Sequence, residues 1–298
     1  MWVLLSFLSA FLLGCYDICK KKSLNGNAVI PVLFLNLSIS GLIFLPFILL
    51  SYATGVLDGT MFYVPRVPLK MHGLVMVKSL IVLSSWIAGY ASVKNLPLTI
   101  TGPIKATQPV FTLAGALLIF GERLNLYQWT GVLLSILSFY MLSASGKKEG
   151  IRFSHNKWIL YAVLSAITGA ISGLYDNYLM KISDVMTVQV WSNAYQLLIM
   201  IPVLLLLWYP GRKKTTPCRW KWSIVFVSLF LAAADWIYFY ALGFPDAMIS
   251  IVSMIRRSSV LVTFMAGAVF FHEKNLKNKA IDLFLVLLGM IFLYLGTK

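Results

Sequence analysis

The stretch Ala247 to Lys274, AMISIVSMIRRSSVLVTFMAGAVFFHEK, most constrains what this chain can fold into. It is long enough to cross a bilayer as a helix, yet Arg256 and Arg257 sit side by side in its middle. At ~1.5 Å of rise per residue, Arg256 lies ~13 Å along the axis from Ala247, near the centre of a ~30 Å hydrocarbon layer. Two guanidinium groups there cost at least ~2.5 kcal/mol each on insertion scales. A water-filled cavity, a buried acid or an anionic ligand must compensate them.

A second stretch matches the first. Leu98 to Arg123 reads LTITGPIKATQPVFTLAGALLIFGER, and a shift of 151 places Lys105 on Arg256, Phe120 on Phe271 and Glu122 on Glu273. Both are apolar runs with a cation about a third of the way in, and both close on Phe, one residue, an acid and a base. An internal repeat of this period has to be settled before any other reading.

The chain as a whole supports a membrane reading. Charged residues make up 12% of it, against roughly 25% in soluble domains. The net charge of +15 would suggest nucleic acid in a soluble chain. Here the bases lie in short loops between apolar runs, where they set topology and meet anionic lipid. The expected partner is therefore the lipid bilayer and not nucleic acid. Cys15, Cys19 and Cys218 form no C-x-x-C pair. His72, His155 and His272 are scattered, and there is no phosphate-cradling loop or Ser/His/Asp arrangement. No cofactor, metal or enzymatic activity is expected. The first residues, MWVLLSFLSAFLLGCYDICKKK, lack a basic n-region and a small-x-small cleavage site, and read as a retained first helix.

Ten spans can be drawn, at about 2–19, 29–54, 71–93, 98–119, 126–143, 158–180, 187–209, 221–243, 247–271 and 279–296. The expected fold is all-α and polytopic, in two five-helix halves, 1–145 and 155–298, separated by the polar stretch 143–157. The halves match further. Gly14-Cys-Tyr16-Asp17 is matched by Gly173-Leu-Tyr175-Asp176, and Trp86-Ile-Ala-Gly-Tyr90 by Trp236-Ile-Tyr-Phe-Tyr240, at offsets of 150 to 159. Five spans is an odd number, so the second half enters the membrane in the opposite sense. Such inverted repeats are typical of secondary transporters, with the site near the midplane where the repeats meet.

Ten spans as five plus five, with Gly121-Glu122-Arg123 after the fourth and His272-Glu273-Lys274 after the ninth, resemble the drug/metabolite transporter superfamily in its EamA-like branch. His272 departs from the pattern, since glycine is usual there. The resemblance covers essentially the whole chain. It implies a multi-pass carrier of the cell membrane, in a bacterial inner membrane, with a small-molecule substrate in a central cavity. The resemblance places both termini in the cytoplasm, whereas the excess of loop bases on the opposite side places them outside. Adjacent basic residues in the ninth span also resemble the phosphate-binding Lys-Arg pair of plastid triose-phosphate translocators, by position alone.

Charges inside the membrane are the strongest functional signal. The cations are Lys78, Lys105, Arg256 and Arg257, and the clear midplane acid is Asp235. On one reading Lys105, Arg256 and Arg257 converge on one anionic group, for which arginine's planar fork suits carboxylate or phosphate. Positions 256 and 257 are ~100° apart on a helix, so one can face a ligand while the other pairs with Asp235. On the other reading the Asp235 pair merely pins two helices together. Asp17 and Asp176 are candidate coupling carboxylates. Asp17 lies three residues before Lys20, which places it near the interface, bridged to loop lysines. Trp86/Tyr90 and Trp236/Tyr240 are i,i+4 pairs that either wall a substrate cavity or form a lipid-interface belt. Pro103 and Pro109 should kink the fourth span. The leading reading is a secondary transporter of a small metabolite, in particular an organic anion. Export of cationic amphipaths, flipping of a polyprenyl-phosphate lipid and a non-transporting scaffold are the competing ones. The oligomeric state is open, with a monomer sufficient.

Overall fold

A backbone in lipid must satisfy its own N–H and C=O groups, so apolar runs of this length become helices. The computed structural model describes residues 1–111, 125–147, 156–212, 217–244, 252, 255–273 and 276–296. The regular structure among them is helical: α1 (Trp2–Leu24), α2 (Val29–Ala53), α3 (Leu69–Asn95), α4 (Leu98–Ala106), α5 (Leu126–Lys147), α6 (Lys157–Met180), α7 (Val185–Val203), α8 (Ser223–Leu242), α9 (Ser259–Val269) and α10 (Leu276–Leu295). A π-helical turn, Leu204–Trp208, continues α7. Six of these, α1, α2, α3, α6, α8 and α7 with its continuation, are long and apolar enough to cross a membrane.

α1 runs past its expected end at residue 19 because its lysines are satisfied inside the fold. Lys20 folds back on Asp17 one turn earlier. Lys21 donates to the carbonyl of Val93 at 2.7 Å, at the end of α3. Cations also suit the negative end of a helix dipole, so the last turn holds.

α1 lies against α8 and α9, α3 against α6 and α7, α2 against α7 and α8, α4 against α6 and α9, and α5 against α10. Exchanging each of α1–α5 with the helix five places later reproduces this set of the most extensive contacts, although α4 also touches α10 and α1 also touches α3. Small residues permit the close approaches. A Cβ on Gly14 would come within 2.5 Å of Val262, and one on Gly102 within 2.7 Å of Val260. Between α3 and α6, the hydroxyls of Ser85 and Ser165 each donate to the other's backbone carbonyl at 2.9 Å. Asn36 ties three helices together: it donates to Tyr90 Oη at 3.1 Å and accepts from Ser228 at 2.8 Å.

The loop between α2 and α3 is folded, not free. Val64 is buried, and its N–H donates to Ser51 Oγ at 3.0 Å. Phe62 lies between Phe47 and Trp236, with ring centroids at 5.5 and 5.3 Å.

Candidate functional site

The two stretches related by the 151-residue shift break at the same place. Thr107 N–H and Ser258 N–H each bond three residues back, to Ile104 at 3.3 Å and Ile255 at 3.0 Å. Their hydroxyls capture the same two carbonyls at 2.7 and 2.6 Å. Val110 and Leu261 then donate to the carbonyls of Thr107 and Ser258, both at 2.9 Å. A hydroxyl bonding back to its own helix competes with the regular ladder. Just beyond α4, Pro109 additionally withholds the N–H that would have bonded Lys105. The kink expected from the prolines is thus a tight turn at Thr107, and its counterpart at Ser258 needs no proline. Lys105 precedes the first break by two residues, and Arg256 and Arg257 immediately precede the second.

A cavity of about 220 Å³ opens between the helices, lined by residues of α1, α2, α3, α4, α6, α7, α8 and α9. Among the described residues five cations and three carboxylates face it: Lys20, Lys78, Lys105, Arg256 and Arg257 against Asp17, Asp176 and Asp235. The carboxylates are all engaged. Asp235 pairs with Arg256, whose guanidinium lies 4.1 Å from the centre of the Tyr238 ring. Asp176 of α6 pairs with Lys78 of α3. Asp17 pairs with Lys20 and, at 3.1 Å, with Lys105. Arg257 makes no ion pair among the described residues, although it lines the cavity.

Asp17 differs from the expectation. It does bridge Lys20, but that lysine belongs to α1 and not to a loop, and Lys105 of α4 joins the pair. Asp17 is 7% exposed and Lys20 is 1% exposed, within the body of α1. Lys20 also sits 4.2 Å from the Tyr16 ring centre and 5.3 Å from that of Tyr90, so aromatic faces share its charge with Asp17.

The aromatics divide. Trp86 and Tyr90 line the cavity. Trp236 and Tyr240 do not. They stack on each other at 5.3 Å, and Trp236 also stacks on Phe62 of the α2–α3 loop. At ~100° per residue, Tyr238 and Phe239 share the face of Asp235, while Trp236 and Tyr240 are turned away from it. Tyr238 and Phe239 are therefore the α8 aromatics at the cavity. The i,i+4 spacing marked a common face correctly, but which way that face points is set by Asp235.

Two sets of cavity residues escaped sequence reasoning. Lys20 was taken for a loop base, although its place one turn after Asp17 was a usable signal. Gln189 lines the wall formed by α7, together with Asn193 and Gln196, which as polar groups within a span were expected only to join helices. Their i, i+4, i+7 spacing is helical, but neutral side chains carry no charge signal in a span.

The model of the EamA-like transporter family matches residues 1–144 and again residues 156–295. The chain belongs to the EamA-like transporter family. Among its relatives is an "Uncharacterized transporter" of Archaeoglobus fulgidus, 24% identical over 210 residues, which are 69% of this chain and 69% of that protein. A solved structure described only as "Crystal structure of protein" has the same fold, with a TM-score of 0.64 at 13% identity over 99% of this chain and 97% of that one.

The family's turn after the fourth span, Gly121-Glu122-Arg123, lies outside the described residues, as does Lys274 of the second turn. In this EamA-like chain His272 takes the left-handed conformation, with φ of 47°. That is the backbone region in which glycine is favoured, which accounts physically for glycine at this point of the pattern. Glu273 then turns back onto α4. It accepts the N–H groups of Leu98 at 2.7 Å and Thr99 at 2.8 Å, and the Thr99 hydroxyl. The carboxylate thus caps the first turn of α4 from the end of α9, where the helix dipole favours negative charge.

Proposed function

We propose that this EamA-like chain is a secondary transporter that moves a small organic anion across the cell membrane by alternating access. On this reading it has ten spans, arranged as two inverted five-helix repeats that rock about the cavity. The exchange symmetry of the helix neighbours, the twin breaks at Thr107 and Ser258 and the double match of one family model support the repeat. Discontinuous helices at mid-depth are where transporters hold their cargo.

The observation that carries the anion is Arg257. Among the described residues the three cavity carboxylates are paired with other cations, which leaves this guanidinium at the cavity beside Arg256 with no ion pair of its own. An uncompensated charge there is costly, and an anionic cargo relieves it. The cavity volume of about 220 Å³ lies below the ~300–1,000 Å³ of sites for drug-sized ligands. That favours a small metabolite over a multidrug or polyprenyl-lipid cargo.

The test is a thermal-shift titration of purified protein with small carboxylates and phosphates, on unaltered protein and on Arg257→Gln. A ligand of the folded state alone raises the melting temperature. Stabilisation by an anion, lost in Arg257→Gln, is the expected result. Equal stabilisation of both proteins would remove Arg257 from the site, and with it the reason for an anionic cargo.

A further inference from the structure

The wall of the cavity formed by α7 differs from the rest. Gln189, Ser192, Asn193 and Gln196 face the cavity there, all neutral and polar. Gln189 is 6% exposed. Its Nε2 donates to the carbonyl of Ala232 at 3.0 Å, on α8, one turn before Asp235. Only an NH2 group can donate to a carbonyl, so this bond fixes the orientation of the amide and leaves Oε1 free. Gln189 Oε1 is buried and has no hydrogen-bond partner among the described residues. An orphaned buried acceptor is unfavourable and calls for a donor.

We infer that Gln189 Oε1 receives a hydroxyl of the cargo, which makes the transported anion a hydroxylated one. The inference rests on the anion reading of the same cavity. The charges there choose hydroxyl over ammonium. An ammonium is best met by a free carboxylate, and Asp17, Asp176 and Asp235 are each held by a cation of the protein. The remaining positive charge would repel it. A hydroxyl donates one hydrogen bond with no charge, and its lone pairs can accept from amide groups such as those of Asn193 and Gln196 on the same wall. The cargo then has two ends, a carboxylate or phosphate toward Arg257 and a hydroxylated body toward α7.

The test uses matched sets of three- to six-carbon carboxylates and phosphates that differ at one carbon: hydroxyl, hydrogen or ammonium, as in lactate, propionate and alanine. Dissociation constants are read from thermal-shift titrations on unaltered protein, Arg257→Gln and Gln189→Leu. The hydroxylated member should bind at least ~10-fold tighter than its deoxy counterpart, because a site built to hydrogen-bond a hydroxyl rejects the analogue lacking it. The ammonium member should bind weakest. In Gln189→Leu the hydroxyl preference should shrink to within ~2-fold while anion binding persists, since only the polar pairing is removed. Anion binding that depends on Arg257 but ignores the hydroxyl in unaltered protein overturns this inference and leaves the anion reading standing. A preference for the ammonium member overturns it too. Binding that ignores Arg257 overturns both. The ratio on unaltered protein decides whether the cargo is a hydroxylated anion even if Gln189→Leu fails to fold.

Discussion

Asp235 offers the sharpest test of how the cavity holds its charges. Replacing it with Asn keeps shape and removes the carboxylate that Arg256 engages. Removing one partner of a buried pair costs about 3–5 kcal/mol, because a charge is left buried and unpaired. Here the side chains are 24% exposed for Asp235 and 15% for Arg256, since both reach the cavity, and Arg256 keeps the Tyr238 face. Cavity water and the ring absorb part of the loss, so we expect less than that, about 2–3 kcal/mol. At roughly 2–4 °C per kcal/mol for a chain of this size, the melting temperature should fall by about 4–12 °C. The double variant Asp235→Asn/Arg256→Gln removes the stranded charge and should recover at least ~1 kcal/mol, within the usual coupling of contacting residues. Asp235→Asn should also strengthen stabilisation by anions, because Arg256 joins Arg257 as an available cation. The assay is detergent-solubilised thermal unfolding with and without saturating anion. A double variant no more stable than Asp235→Asn, together with an unchanged anion response, would falsify the reasoning.

Four further expectations follow from local geometry. Glu273→Gln keeps the size of the cap on α4 but removes its charge, and should cost about 1–2 kcal/mol in thermal unfolding; an unchanged melting temperature would mean that the bonds to Leu98 and Thr99 carry no weight. His272→Gly relieves a left-handed residue and should raise stability slightly, by ~0.5 kcal/mol after glycine's own entropy is counted; a loss would show that the imidazole makes a contact worth more than the strain. Trp236→Ala should lower stability by loosening Phe62 and the α2–α3 loop, yet leave the dissociation constant for any bound anion within about twofold, as expected for sites that share no partner. Tyr238→Ala, on the same helix but facing Arg256, should weaken that anion instead, and the opposite ranking of the two variants would return Trp236 to the site.

How far the sequence reading reached depends on the physical signal each residue carries. Charges in an apolar run are expensive, so Lys105, Asp235, Arg256 and Arg257 stood out, and the structure gathers all four around one cavity. The 151-residue shift rested on a few identities, yet it relates bond for bond the breaks at Thr107 and Ser258. The breaks themselves were not foreseen, because threonine and serine in a span are common and their back-bonding leaves no pattern. Proline drew attention to the fourth span and could say nothing of the ninth.

The faces of the helices were the harder part, and the reason lies in the solvent. In water an amphipathic helix reports its buried side by a polar stripe opposite it. In lipid both sides are apolar, so α8 gives no such report, and Trp236 and Tyr240 could be assigned to the cavity as readily as Tyr238 and Phe239. The one charged residue of that helix, Asp235, does orient it. It must face a cation or water, and the residues three and four places on must then face the same way. The same rule applied to α7 starts from Gln189, whose amide has to be satisfied somewhere inside. Asn193 and Gln196 then follow at helical spacing, which brings the whole polar wall to the cavity. In a chain of this kind the rare polar side chain inside a span is therefore the reference from which each helix is rotated into place. The aromatic pairs come second, because lipid and protein accept them equally well.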